Sequence, residues 1–227
     1  MSSLAITKAA RMKQRIVLLG PPASGKGTQA EFIVSSFGIP HVSTGALLRA
    51  ECANGTSLGK EANRWTHQGL LVPDELAIRM ITAWIAEHGT RFLFDGFPRT
   101  EAQAEHLYTA LASLSAPLDL VIVLELGEEE IRRRISSRLS CLACGATFSG
   151  TLNSLKAGDA CLRCGEKLVR RTDDQPAAVE KRLESYHKLT FPVIGYYERN
   201  ASNLIYRVDA GRESDAVFSD ICKLIQS

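Results

Sequence analysis

Near-continuous apolar runs punctuate the chain at Arg15–Leu19 (RIVLL), Arg91–Phe94 (RFLF), Asp119–Leu126 (DLVIVLEL) and Asn203–Val208 (NLIYRV), with a shorter one at Pro40–Ser43. Unbroken runs of this kind suit strands buried on both faces of a parallel sheet, whereas half-exposed strands alternate. Helical rhythm fills the gaps. A helix is predicted from about Gly25 to Phe37. From Pro176 to Arg199, apolar residues recur at Val179, Leu183, Tyr186, Leu189, Val193, Ile194 and Tyr197, a 3.6-residue spacing on one face, with Pro192 as a predicted kink. Trp65 and Trp84 also fall in helical patterns and read as packing residues. Strands alternating with helices predict an α/β fold: helices on both faces of a central, mostly parallel, five-stranded sheet. From Ser140 to about Arg171 the periodicity fades, which marks a small inserted subdomain.

Composition narrows the class. The chain has 227 residues and is 45% hydrophobic, enough for one main domain with an insertion. With 27 basic against 25 acidic residues, bulk charge argues against a polyanion binder, so no nucleic-acid partner is expected. No apolar run approaches the ~18 residues of a membrane span, so no membrane association is expected either. Residues 1–14 are basic without acidic residues and lack the apolar centre of a secretory signal. They read as a flexible N-terminal extension, with Met12 an alternative start, and the expected location is the cytoplasm.

The chemistry starts after the first strand. Gly20–Thr28 (GPPASGKGT) lies between a strand and a helix, the setting a phosphate-binding loop requires. Its glycines let backbone N–H groups turn toward phosphate oxygens, and the helix start adds partial positive charge. Ala23, Ser24, Gly25, Lys26, Gly27 and Thr28 are the expected ATP-phosphate contacts, with Lys26 reaching the β- and γ-phosphates and Thr28 near Mg²⁺. The usual motif puts Ser or Thr directly after the lysine; here Gly27 intervenes.

Gly-Lys-Gly-Thr-Gln at this place resembles the adenylate kinase family, and the resemblance runs from about Arg15 to near the C-terminus. It implies a P-loop core over residues 15–227, an AMP-binding helical insert over 43–72 and a zinc-ribbon-like lid over 137–174. Ser43-Thr44-Gly45 with Arg49 looks like the AMP-binding segment, and Gly69-Leu70-Leu71-Val72 like the stretch that contacts the AMP base. Asp95-Gly96-Phe97-Pro98-Arg99 with Gln103 is the most diagnostic match: in the family the arginine binds AMP phosphate, the glutamine reads adenine and the aspartate orders waters on Mg²⁺. By the same resemblance Arg134 packs on the ATP adenine, and Arg138, Arg171 and Arg182 converge on the phosphates, the last two also serving AMP. Thr147, Phe148 and Arg212 would flank the ATP base. Lys26, Asp95, Arg99, Arg134, Arg138, Arg171 and Arg182 are thus the expected catalytic set. Arg132 and Arg133 are assigned no role.

Cys141-Leu-Ala-Cys144 and Cys161-Leu-Arg-Cys164 have the spacing of a tetrahedral Cys₄ zinc site, with disulfides or free thiols as the alternative. Four thiolates would close the coordination shell, so the metal would be structural. Cys52 and Cys222 lack partners at useful spacing and read as small apolar residues. His67 and His187 have no triad partner nearby. This sequence departs from the family at Ala23, where glycine is usual and a positive φ would strain alanine; at Ala46, where aspartate is common; and at Arg212, in place of lysine.

The expected activity is ATP + AMP ⇌ 2 ADP, Mg²⁺-dependent, in a monomer with ATP, AMP and ADP as its small-molecule partners. Alternatives are a kinase taking UMP or CMP, against which Thr44 and Gln103 argue; a nucleic-acid-binding NTPase using the cysteine ribbon, which lacks a basic-aromatic patch; and a scaffold with an inactive kinase fold.

Overall fold

The computed structural model describes residues 12–66 and 70–227. His67, Gly69 and residues 1–11 of the N-terminal extension lie outside the described residues. Along the chain come β1 (Arg15–Leu19), α1 (Lys26–Phe37), β2 (His41–Ser43), α2 (Thr44–Ala53), α3 (Ser57–Thr66), α4 (Asp74–His88), β3 (Phe92–Asp95), α5 (Glu101–Ser113), β4 (Leu120–Glu125) and α6 (Glu128–Ser137). There follow β5 (Arg138–Cys141), β6 (Thr147–Ser149), β7 (Leu168–Val169), a 3₁₀ turn at Thr172–Asp174, α7 (Pro176–Ser185), a π turn at Tyr186–Thr190, α8 (Phe191–Asn200), β8 (Ile205–Asp209) and α9 (Ser214–Gln226).

The central sheet has the order β2-β3-β1-β4-β8, and every adjacent pair is parallel. Side-chain alternation explains the three layers. Val17, Leu19, Phe92, Phe94, Val121 and Val123 face one side and pack with Leu76, Ile81, Leu107, Leu111, Val193 and Tyr197 of α4, α5 and α8. Ile16, Leu18, Leu93, Leu120, Ile122 and Leu124 face the other and pack with Ile33 of α1 and Val217, Ile221 and Ile225 of α9. Both faces are apolar because both are covered, hence the unbroken runs in the sequence. The C-terminal ends of β1 and β3 deliver the phosphate loop and Asp95 side by side, with Leu18 in register with Asp95. A parallel α/β sheet binds ligands at this edge.

The predicted strands all form, the first with the bounds read from the sequence and the others shifted by one or two residues at their ends. The long helix expected over 176–199 is interrupted. Pro192 has no N–H for the ladder and its ring would crowd the carbonyl of residue 188. The strain is taken up one turn earlier, where Tyr186–Thr190 forms a π turn and the Phe191 N–H bonds Tyr186 O. Trp84 packs edge-on against Phe94 as expected, but Trp65 is 38% exposed. Cys52 is half-buried against the core, and Cys222 is half-buried with its thiol pKa raised by burial.

The aperiodic stretch is a separate three-stranded antiparallel sheet, ordered β6-β5-β7. Its core is small: Leu139, Cys141, Ala146, Cys161 and Leu168, with Phe148 and Leu155 against them. The other insert, α2 and α3, closes tightly because Gly59 lies against the α2 backbone. A Cβ at Gly59 would sit 2.6 Å from Cys52 N and closer still to the Glu51 carbonyl. Backbone cannot yield as a side-chain tip can. Gly59→Ala is therefore expected to lower stability by about 1–3 kcal/mol, read as a shifted urea midpoint; an unchanged midpoint would show that α2 and α3 do not pack this closely.

Candidate active site

The phosphate loop ends at a helix with no side-chain cap. Its first amides, from Lys26 onward, have no intrahelical partner and are free to meet an anion. The Lys26 ammonium bridges the loop, donating to Gly20 O (2.9 Å) and Pro21 O (2.8 Å). Burial pushes its pKa down to about 8; Asp95 opposes this, while Arg99, Arg182 and Arg138 add to it. Ala23 has φ of 59°, so the left-handed conformation that would strain alanine is the one adopted. Its methyl packs on the small cluster of Ile131, Ile135, Val179 and Leu183, which offsets part of that strain.

Across the sheet edge, the Asp95–Arg99 turn is built around Gly96. The Gly96 carbonyl accepts hydrogen bonds from Thr44 Oγ1 (2.8 Å) and Arg99 Nε (2.9 Å). A Cβ at Gly96, whose φ is 82°, would lie 2.9 Å from both the Thr44 hydroxyl and the Arg99 guanidinium, so only glycine lets them approach. Phe97 is fully buried, and the Phe97–Pro98 peptide bond is cis. Arg49 folds back along α2, and a Cβ at Gly45 would be 3.1 Å from its Nη1. Burial lowers the pKa of both Arg49 and Arg99. Burial acts to raise Asp95, but His41, Lys26 and Arg99 outweigh it and hold the carboxyl below its usual range.

Three arginines reach the same place from the insert's two connections. Arg138 forks onto Asp174, with Nε at 2.8 Å. Arg171 pairs with Asp173 at 2.7 Å, and Arg182 touches Asp173 (3.1 Å) and Asp174 (3.2 Å). Arg182 is pushed down to about 10 by burial, with Asp173 opposing and Arg138 and Arg171 contributing. Among the described residues, Lys26, Arg49 and Arg99 make no carboxylate ion pair. The cluster thus sets six cations, Lys26, Arg49, Arg99, Arg138, Arg171 and Arg182, against three carboxylates, Asp95, Asp173 and Asp174. A half-buried surplus of positive charge is a site for anions.

Arg134 stands apart from this cluster. It is held by Glu130 (2.7 Å) and the Ala210 carbonyl (2.8 Å), and Glu130 in turn lines an open cavity of about 560 Å³ with Glu125, Gly127, Asp209 and Gly211. Arg212 is exposed and paired with Asp220 at 2.7 Å. Thr147 is exposed on β6, while Phe148 packs into the insert's core. Arg132 and Arg133 make surface ion pairs with Glu180 and Glu130. His187 meets Glu128 at 3.1 Å.

The four cysteine sulfurs lie within 4.8 Å of one another, with Cys141–Cys164 at 3.4 Å and Cys144–Cys161 at 3.7 Å. These are not disulfide lengths. A tetrahedral ion with metal–sulfur bonds of about 2.3 Å has sulfur–sulfur edges of about 3.8 Å, and the cluster brackets that value. Both knuckles fold alike: Gly145 N donates to Cys141 O (3.0 Å) and Gly165 N to Cys161 O (2.8 Å), each glycine at positive φ. Backbone N–H groups draw Cys141 down to about 7. At Cys164 the Glu166 N–H acts the same way, but the neighbouring sulfurs prevail and push it up to about 12. The residues present fit a closed, thiolate-ligated divalent ion.

The structure also places at the site several residues that sequence reasoning misses. Along the chain Asp173 and Asp174 read only as spacing around Arg171, although an Asp-Asp pair flanked by arginines is itself a charge-patterning signal. His41 Nε2 lies 3.7 Å from Asp95 Oδ2, a contact made by β2 pairing with β3 and invisible along the chain. Asp74 has the look of an acidic residue at a helix start; it accepts from Gln103 Nε2 (2.7 Å) and Thr100 Oγ1 (2.9 Å). Leu70, Leu71 and Val72 run from exposed to buried and lead directly into Asp74.

Comparison with known proteins identifies the family. The family model described as "Adenylate kinase" matches residues 18–202. The chain is 41% identical over 213 residues to an adenylate kinase of Agathobacter rectalis, covering 93% of this chain and 99% of that one. It is 46% identical over 186 residues to an adenylate kinase of Caldicellulosiruptor saccharolyticus (81% and 86%), and 43% over 208 residues to one of Methanosarcina barkeri (91% and 95%). With a phosphate loop, a second cationic turn and arginines converging on both, and with relatives matched over nearly their whole length, the chain belongs to the adenylate kinase family and is a phosphotransferase.

Proposed function

We propose that the chain catalyses ATP + AMP ⇌ 2 ADP through two anion pockets that share one surplus of positive charge. The observation that carries this reading is the six-cation, three-carboxylate cluster spanning the phosphate loop and the Asp95–Arg99 turn. A single nucleotide pocket would not need Arg49 and Arg99 on the far side of Asp95.

The acceptor is an anionic phosphate oxygen, so no general base is required; the chain's task is alignment and neutralisation of charge on the transferring group. The loop amides and Lys26 would hold the β- and γ-phosphates, and Arg49 and Arg99 the AMP phosphate. Arg138, Arg171 and Arg182 would close on the phosphoryl group between them, excluding water. Arg134 would stack on the ATP base in the open cavity beside Ala210, with Thr147, Phe148 and Arg212 around it. The backbone of 70–72, with Gln103, would contact the AMP base. When bound, Mg²⁺ supplies charge neutralisation between the phosphates, and Asp95, kept ionised by its neighbours, and Thr28 are the residues to hold its shell. In this reading residues 43–72 are the AMP-binding insert and 137–174 a lid, stapled by zinc on the four cysteines. Monomeric state and cytoplasmic location belong to the same proposal.

Three measurements test it. In an assay for ADP formed from ATP with AMP, UMP, CMP or GMP, AMP alone is expected to serve well, yielding two ADP per AMP consumed. Turnover with UMP or CMP would keep the mechanism and overturn the base-reading role of Gln103. No transfer at all would overturn the proposal.

Metal removal separates structure from chemistry. Stripping the cysteine-bound ion is expected to lower the melting temperature by several degrees, because the insert has little core to replace it. Turnover at low temperature should persist. An apo-protein that melts with the holo-protein would remove the structural role.

Lys26 gives a pH prediction. Its pKa of about 8 lies below the ordinary lysine value, so near pH 8 a large fraction is neutral. ATP phosphates favour the charged form and should raise it. Binding then takes up roughly half a proton near pH 8 and almost none near pH 6.5, and affinity falls as pH rises above 8. Titration calorimetry in buffers of different ionisation enthalpy reads this directly. Lys26→Arg should abolish the uptake; equal uptake in that variant would assign the proton elsewhere.

A further inference from the structure

Gln103 is 2% exposed, yet it sits on the side of the site assigned to the acceptor base. Its amide is held at both ends. Oε1 accepts from the Arg99 backbone N–H (2.7 Å), and Nε2 donates to Asp74 Oδ1 (2.7 Å). The Arg99 N–H can only donate and the Asp74 carboxylate can only accept, so the chemistry of the partners forces the orientation. The remaining Asp74 oxygen accepts from Thr100 Oγ1 (2.9 Å), whose hydroxyl oxygen in turn accepts the Gln103 backbone N–H (3.2 Å). The Thr100 hydrogen is thus committed to Asp74, and the circuit has one direction. A flipped amide would set N–H against N–H at Arg99 and carbonyl against carboxylate at Asp74.

We propose that Asp74 is the specificity-determining residue of the acceptor site: it locks the Gln103 amide so that the site takes 6-amino purine monophosphates and rejects 6-oxo ones. A free carboxamide is ambivalent toward bases. In one orientation it pairs with the amino group and N1 acceptor of adenine; rotated by half a turn it pairs equally well with the carbonyl and N1–H of hypoxanthine or guanine. Gln103 retains one N–H and one lone pair beyond its two anchors. A locked amide offers these in a single order. Sites whose buried polar groups would be left mismatched discriminate strongly. Asp74 touches neither base nor phosphate and acts through Gln103. The proposal rests on the reading that Gln103 faces the acceptor base.

The test compares kcat/KM for AMP and for IMP, which differ only at the 6-position and N1. In Asp74→Ala the AMP:IMP ratio is expected to fall by about tenfold or more, through a gain on IMP as well as a loss on AMP, with KM for ATP unmoved. Asp74→Ser is a second unlocking variant should Asp74→Ala fold poorly. Asp74→Asn is the conservative rescue. Its oxygen can still accept from Gln103 while its amide donates to the Thr100 oxygen, which has a second lone pair, so the wild-type ratio should return. A role limited to placing negative charge at the start of α4 would make Asp74→Asn and Asp74→Ala alike, overturning the proposal. Gln103→Leu is run in parallel. If it collapses the ratio while Asp74→Ala leaves it intact, Asp74 is not the lock. If Gln103→Leu itself leaves the ratio and KM for AMP intact, the underlying reading of Gln103 fails instead.

Discussion

Positive charge held without enough carboxylate to neutralise it is the constraint around which this molecule is arranged. Lys26, Arg49, Arg99, Arg138, Arg171 and Arg182 arrive from separate places in the chain, and among the described residues the carboxylates standing with them are Asp95, Asp173 and Asp174. Bringing such groups together opposes folding, and burial depresses Lys26, Arg49, Arg99 and Arg182 alike. The fold supports this because its stability comes from elsewhere: a parallel sheet covered on both faces, with the charged groups confined to the C-terminal edge of its strands. In the proposed reading, polyphosphate binding would relieve a repulsion that folding has already imposed, so the ligand would stabilise the arrangement that binds it.

The same constraint explains how the small polar groups are used. Gly96 serves as a common acceptor for Thr44 and Arg99, so one carbonyl aims two residues from separate elements. Asp173 and Asp174 each serve more than one arginine, which orients the guanidinium groups while leaving them under-neutralised. A full complement of partners would quench the site, and none would let the arginines scatter into solvent.

Much of this is legible along the chain, and the reason differs by residue. The strands show as unbroken apolar runs because burial on both faces removes alternation. The phosphate loop and cysteine pairs show because their geometry is local, set by turns of a few residues. Ala23 is legible as a conflict, and the structure keeps that conflict, at a φ of 59°. The remainder depends on distant segments meeting. His41 reaches Asp95 only once β2 pairs with β3. Asp74 joins Gln103 only once α4 lies beside α5, and on the sequence it is indistinguishable from an ordinary acid complementing a helix start. The π turn at Tyr186–Thr190 arises from Pro192, yet where the strain settles is decided by packing, including the Thr190 hydroxyl donating to the Arg99 carbonyl at 3.2 Å.

A small hydrophobic core leaves the cysteine insert dependent on other forces. Two of its five buried apolar residues, Cys141 and Cys161, are themselves members of the sulfur cluster, so an ion bound there would substitute for packing. Its tip meets the main body through Arg163 and Glu31, 3.3 Å apart and both more than half exposed. An exposed pair of this kind contributes little, about 1 kcal/mol at most, and cannot hold the insert down alone. Its firm attachment is at the base, where Arg138 and Arg182 share the buried Asp174. Those are the arginines assigned to the phosphates. In the proposed reading, an insert joined to the core by the charges assigned to the phosphates, and only weakly latched at its tip, would close when an anion is present to neutralise them.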